Sequence, residues 1–362
     1  MLRHLTSTSL LLAATGSAQL FQGLETQPPM RSTTLAGFPN VSYQNLAAFA
    51  VNGMASLGDG RTLLIATGPF TTDIYRSILG GTPGQPLRAG IDLHGLGYGR
   101  NTLFGFSNFG SPMGIYAIDL STGAATLQQD TSAAGLRYFA LDYNPVDDLL
   151  YGYSEYGNSG LYAIDLDAHT QTRVAPPIPA ANTQGRGLAV GNHTVYLTAT
   201  RGGDGVPCYA WDLGQGSTGS WAPFTAAYPA DTATGGSTFV EVVQPWLGYR
   251  GPGRVTVSCT GQALATGGTA RFRIHSALAG ASGYLLLGVT SNPTFVPGLG
   301  ATIAPYPPLA IAPLTVDSRG WLDATLPGGG GPFSLVVQVL LRDAAVATGF
   351  SVSNAVRLEF RP

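Results

Sequence analysis

From residue 46 onward the chain is a succession of short apolar runs separated by Gly, Asn, Asp and Thr. Tyr marks one kind of run, recurring as Tyr75 in DIYRS, Tyr116 in GIYAIDL, Tyr162 in GLYAIDL and Tyr209 in PCYAWDL, at steps of 41, 46 and 47 residues. Ahead of each lies a second run: TLLIA, TLFGF, LLYGY and TVYLT. Ahead of that comes a third (AAFAVNG, GLGYG, FALDYN, GLAVGN), and a fourth follows the Tyr, as in AATLQQ and QTRVAP. Tyr, Phe, Val and Ile dominate these runs, as half-buried pleated surfaces favour. Turn residues such as Asn144-Pro145 and Gly123 fall between them. Four short strands per unit of roughly 40–47 residues is the spacing of a β-propeller blade. No later segment keeps a helical apolar period for three turns, so the chain reads as all-β.

Four such units span residues 46–223, flanked by STTLAGFPNVSY before and GGSTFVEVVQP after. Completing one blade from both flanks predicts about five blades over residues 30–245; a ring of four blades with extra edge strands is the alternative. PWLGYRGPG then supplies a linker at 246–253. Over 254–362 the repeat stops. Runs such as RVTVSC, TARFRIHS, GYLLLGVT and FSLVVQVLLRD alternate apolar and polar residues between Gly/Pro connections, which predicts a β-sandwich.

The strand and turn YAIDLSTG, Tyr116–Gly123, resembles the repeat of quinoprotein-like and YncE-like bacterial β-propellers. The resemblance covers about half the chain and implies the propeller fold. Quinoprotein repeats carry a Trp after the turn, where this chain has Leu127 and Val174, so no quinone or other cofactor is expected. The tail, ending GFSVSNAVRLEF, is similar to a C-terminal β-module recurrent in secreted proteins of high-GC bacteria.

The N-terminus, MLRHLTSTSLLLAATGSAQL, has a basic start, a short apolar run and small residues at Gly16-Ser17-Ala18. It reads as a secretory signal over residues 1–18, and places the mature chain outside the cytoplasm, secreted, periplasmic or at the cell surface. No other stretch is long and apolar enough for a transmembrane helix. Charged residues make up 10% of the chain, every basic residue is Arg, and the net charge is -2. Nothing in that balance attracts nucleic acid. Cys208 and Cys259 are too few for a disulfide scaffold; two free buried thiols are expected, with a bridge as the alternative that export permits.

Candidate chemistry is sparse. Asp119, Asp165 and Asp212 each stand three residues after a repeated Tyr. A catalytic acid occurs once, whereas a carboxylate that accepts backbone N–H bonds in each blade's turn recurs with the blade. The repeated Tyr residues are read as blade core. His4, His94, His169, His193 and His275 are scattered with no zinc-binding pair, and no G-x-S-x-G occurs, so no metal and no catalytic residue is assigned. Asp147-Asp148 reads as a solvated turn, and Asp204 in RGGDG lacks the oxygen ligands calcium needs. Asp92 and His94, aligned with Arg137 and Arg186 of the following units, fall near the start of first strands, which line a propeller's channel. They form a candidate ligand site at the channel mouth. These features favour a non-enzymatic binding protein whose partner is a protein or a glycan. The alternative is a hydrolase or lyase working at that mouth.

Overall fold

The computed structural model describes residues 51–362 except 68–71, 79–83, 110–111, 157, 180–183, 192, 201–207, 224–233 and 277. Ahead of residue 51 it describes the backbone of three strands; the expected signal segment lies outside the described residues. The chain is all-β, built of small antiparallel sheets.

β1 (Gln19–Leu24), β2 (Met30–Thr34) and β3 (Val41–Tyr43) pair in order. Four sheets of four consecutive strands follow. The first holds β4 (Val51–Ser56), β5 (Thr62–Thr67), β6 (Asp73–Ile78) and β7 (Leu87–Arg88). The second holds β8 (His94–Gly99), β9 (Thr102–Ser107), β10 (Gly114–Ile118) and β11 (Ala125–Asp130). The third holds β12 (Tyr138–Asn144), β13 (Leu149–Ser154), β14 (Gly160–Asp165) and β15 (Thr170–Ala175). The fourth holds β16 (Gln184–Gly191), β17 (Thr194–Thr200), β18 (Cys208–Asp212) and β19 (Ala222–Pro223). β20 (Thr234–Val240) then returns to β1, with Leu20 opposite Phe239, so two distant chain segments share one sheet.

The first strands pack side by side: β4 on β8, β8 on β12, β12 on β16, β16 on β20, and β20 on β4. Glycine permits this approach. A Cβ on Gly53 would stand 2.8 Å from the Gly95 carbonyl carbon, and one on Gly95 would stand 2.6 Å from the Leu141 nitrogen. Any side chain there would force the strands apart. Cores lie between successive sheets. Leu64 and Ile74 of the first meet Leu96, Leu103 and Tyr116 of the second. Phe104 and Ile115 meet Tyr138, Leu150 and Tyr162. Tyr153 and Leu161 meet Val195, Tyr209 and Trp211.

The remaining strands are β21 (Val242–Val243), β22 (Trp246–Gly248), β23 (Val255–Gly261), β24 (Thr269–Ser276), β25 (Ser282–Gly288), β26 (Thr294–Val296), β27 (Ala301–Ile303), β28 (Ala310–Thr315), β29 (Trp321–Pro327), β30 (Phe333–Arg342), β31 (Phe350–Val352) and β32 (Ala355–Phe360). One sheet runs β21-β23-β24-β29, and another runs β22-β32-β30-β25-β28. Val257, Phe272 and Ile274 of the former share a core with Val337, Val339 and Leu358 of the latter. Within the stretch expected as linker, Trp246–Gly248 forms β22 and pairs with Ala355–Val356. Cys208 and Cys259 are free and buried, in different cores. Burial raises both thiols, Cys259 to about 12, which keeps them from reacting as thiolates.

β21–β32 meet the ends of the first strands. Val243 donates its N–H to the Gly58 carbonyl at 2.7 Å, and Thr256 donates its hydroxyl to the Val146 carbonyl at 2.6 Å. Arg100 and Asn101, with φ of 51° and 58°, make the two-residue turn between β8 and β9. The turn aims Arg100 at Asp148, whose carboxylate takes Nε and Nη2 at 2.7 Å each. Arg250 joins it at 2.9 Å, the Tyr143 hydroxyl donates to the same group, and both arginines also reach Asp167. Asp147 accepts the Tyr151 hydroxyl at 2.6 Å. The Asp147-Asp148 pair is therefore not the solvated turn expected from sequence, because β21–β32 cover the end where it lies and leave the Asp148 side chain 3% exposed.

His193 stacks on Trp321 with ring centroids 4.0 Å apart, and His275 meets the same indole edge-on at 5.4 Å. Burial, with repulsion from Arg273 and His275, pushes the His193 pKa down to about 4, and burial also lowers His275. A lowered folded-state pKa means that the unfolded chain takes up the proton first. The stability of this contact is therefore complete above about pH 6.5 and is lost as pH falls toward 4, by about 1–2 kcal/mol once the shift is discounted for solvent screening of the half-buried ring. Thermal midpoints measured from pH 7 to 4 should fall, and should fall less in His193→Asn, since Asn tolerates the left-handed backbone at φ 65°.

Candidate functional site

The end of the first strands opposite β21–β32 begins with the segment before β8. Thr72 holds that segment: its carbonyl accepts from the Ala89 N–H, its N–H donates to the Ile91 carbonyl, and its hydroxyl accepts from the Leu93 N–H at 2.8 Å. Asp92 and His94 stand on this anchored stretch, with Asp92 Oδ2 2.7 Å from His94 Nε2. Asp92 is 6% exposed and its buried Oδ1 has no partner among the described residues. Both amide atoms of Asn108, just after β9, are buried and likewise have none among them.

The His94 ring lies between two phenyl rings, Phe109 at 5.9 Å and Phe139 at 5.6 Å, both edge-on. Phe139 continues to Tyr156 at 5.7 Å, and the Arg137 guanidinium sits over the Tyr156 ring at 5.7 Å. Ser154 ties the last two together, its hydroxyl accepting from the Arg137 N–H and donating to the Tyr156 carbonyl. Phe109 is 72% exposed and Tyr156 50%. The result is a strip of rings and charges across the start of the second and third sheets.

Asp92 and His94 thus stand in contact, whereas Arg137 connects to them through Phe139 and Tyr156. Arg186 lies in β16, and its side chain is outside the described residues. Phe109, Phe139 and Tyr156 were not among the residues expected at this site. Phe139 follows Arg137 by two positions and the other two follow the ends of second strands, where a large exposed aromatic was the available signal. The periodic acids sit elsewhere, in turns. Asp119 accepts the Ser121 N–H at 2.7 Å, Asp165 the Ala168 N–H at 3.0 Å and Asp212 the Gly214 N–H at 2.8 Å. Among the described residues no three of His, Cys, Asp and Glu gather as metal ligands. No helix among them is long and apolar enough to cross a membrane.

No family model matches the chain, and no curated protein matches it. Among solved structures it is similar to a chain of a nidogen/laminin complex, with 14% identity and a TM-score of 0.44, covering 62% of this chain and 98% of that one. It is also similar to the exo-β-1,3-galactanase of Phanerochaete chrysosporium with β-1,3-galactotriose, with 11% identity and a TM-score of 0.34, covering 94% and 99%.

Chemically, the strip offers two kinds of contact. Exposed rings cover apolar faces of a ligand. Asp92 Oδ1 and the Asn108 amide are polar atoms whose bonds are unmade, and a buried polar group without a partner costs about 1–3 kcal/mol until one is supplied. The carboxylate at His94 Nε2 fixes the orientation of that ring.

Proposed function

We propose that the chain is an exported binding protein whose ligand surface is the strip Phe109, His94, Phe139, Tyr156 and Arg137, and that its ligand is a glycan. In this reading the five four-stranded sheets built from β1 to β20 are blades of one closed propeller over about residues 19–240, with β1–β3 and β20 closing the ring. The strands from β21 onward form a sandwich that caps its other end. The signal-like N-terminus supports export. The observation that carries the ligand class is the exposed aromatic strip beside buried unpartnered acceptors and donors: rings cover the apolar faces of sugars while Asp92 and Asn108 meet hydroxyls.

A glycan array probed with residues 19–362 tests this. The chain should bind a defined glycan class, and Tyr156→Ala or Phe109→Ala should weaken binding at least about tenfold, a loss of ~1.4 kcal/mol, with thermal midpoints held. A blank array, or variants that bind as the parent does, overturns the reading. The Asp92–His94 contact at 2.7 Å supports a second reading, a hydrolase or lyase in which His94 is the general base. Cleavage of a bound glycan, abolished by His94→Gln, would establish it; binding without cleavage would remove it.

A further inference from the structure

At the opposite end, a chamber of about 550 Å³ lies between the ends of the first strands and β21–β32. That is ample for a small molecule. The arginines that line it are already engaged: Arg100 with Asp148, Arg61 with Asp59 at 3.9 Å, and Arg361 with Glu359 at 3.4 Å. Two further carboxylates line it, Asp142 and Glu241. Asp142 accepts backbone N–H groups of Tyr143 and Val190, at 2.9 and 2.8 Å, which carry no formal charge. Arg273 acts on Glu241 from outside the lining and is itself bonded to Asp323 at 3.4 Å. The chamber wall is therefore acidic. Burial raises the pKa of Asp142 and of Glu241 and so disfavours their charged forms, and the charge of Glu241 raises Asp142 further; a cation brought between them favours both carboxylates.

A second observation is independent of charge. Ser258 in β23 lines the chamber and is 4% exposed; it shares a strand face with Thr256, which bonds Val146, and its Oγ has no partner among the described residues, nor has the buried Nε1 of Trp246. Aromatic side chains complete the wall, with Tyr98, Tyr143, Phe239 and Trp246 all lining it. The side chains of Arg61 and Arg361, 72% and 65% exposed, mark where the chamber opens to solvent.

We propose that this chamber is a second ligand site, for a small protonated amine whose charge sits between Asp142 and Glu241 and whose carbon skeleton lies against the aromatic wall. Carboxylates supply the countercharge, and ring faces attract the cation as well as its methylenes. Ser258 Oγ accepts an N–H from the same amine.

The test is isothermal titration of residues 19–362 at pH 7 with 1,4-diaminobutane and with its uncharged isostere 1,4-butanediol. The diamine should bind at least about tenfold tighter than the diol, and Glu241→Gln should bring it close to the diol's level. Tyr156→Ala, at the other end of the first strands, should leave diamine binding unchanged. Equal affinities, no diamine binding at millimolar concentration, an inert Glu241→Gln, or loss in Tyr156→Ala would overturn the proposal. If Glu241→Gln does not fold, the diamine and diol comparison decides it alone.

Discussion

Asp148→Ala should destabilise the chain by about 3–5 kcal/mol, the cost of breaking a buried ion pair and leaving its partners uncompensated. Asp148 takes two short bonds from Arg100, one from Arg250 and one from the Tyr143 hydroxyl. Without it, two guanidiniums at 15% and 21% exposure share Asp167, which is itself 55% exposed and a weaker counterion. Alanine also loses at φ 64°, where Asp and Asn are the tolerated side chains. Asp148→Asn separates the two effects: it keeps the backbone and an acceptor, so a loss of more than about 2 kcal/mol in that variant belongs to the charge. Urea unfolding of both variants measures this. A loss below about 1 kcal/mol in Asp148→Ala would mean that the cluster is a solvated ion pair of the surface kind. Because Arg100 belongs to the second sheet, Asp148 and Asp167 to the third, and Arg250 to the segment between β22 and β23, the cluster is also a clamp on the joint around the acidic chamber. Loosening it should widen the transition or split it in two.

The strand pattern was legible because each element announces itself locally. The Tyr spacing located β6, β10, β14 and β18, and the Asp that follows three of them sits in a turn accepting backbone N–H groups. What the sequence left open depends on which end of a strand is covered. Asp147-Asp148, between Pro and Leu in a turn, has the local look of a solvated hairpin, and its burial comes from strands that follow some hundred residues later. Glu241 and Asp142 are likewise separated by about a hundred positions and meet one chamber only because β20 and β12 end together. Asp92 and His94 were legible as two of four candidates for one place, and their contact at the start of β8 follows from their standing two residues apart. Their aromatic companions come from the ends of β9 and β13 and from within β12, where nothing periodic marks them.

Tyr162→Ala should cost about 3–5 kcal/mol, the range for deleting a large buried aromatic. Tyr162 belongs to the third sheet but packs into the core it shares with the second, among Phe104, Phe106, Ile115 and Tyr138. Its ring meets Tyr138 edge-on at 5.9 Å, and its hydroxyl donates to the Asn158 carbonyl at 2.6 Å. Tyr116 stands in the same way in the core between the first and second sheets, and Tyr209 in that between the third and fourth. Tyr116, Tyr162 and Tyr209 thus each reach the sheet before their own, which is why they recur at the period of the sheets and why losing one opens a cavity between two of them. Tyr75, expected as core like the others, is only half-buried and lies in none of these cores, where Ile74 of the same strand is buried instead. Tyr162→Phe removes the hydroxyl and keeps the ring, so it should cost only about 0.5–1.5 kcal/mol. Parallel urea melts of the two variants measure ring and hydroxyl separately. Equal losses would place the weight of this residue on its bond to Asn158, and with it the reason for the repeat would move from packing between sheets to the loop that ends at β14.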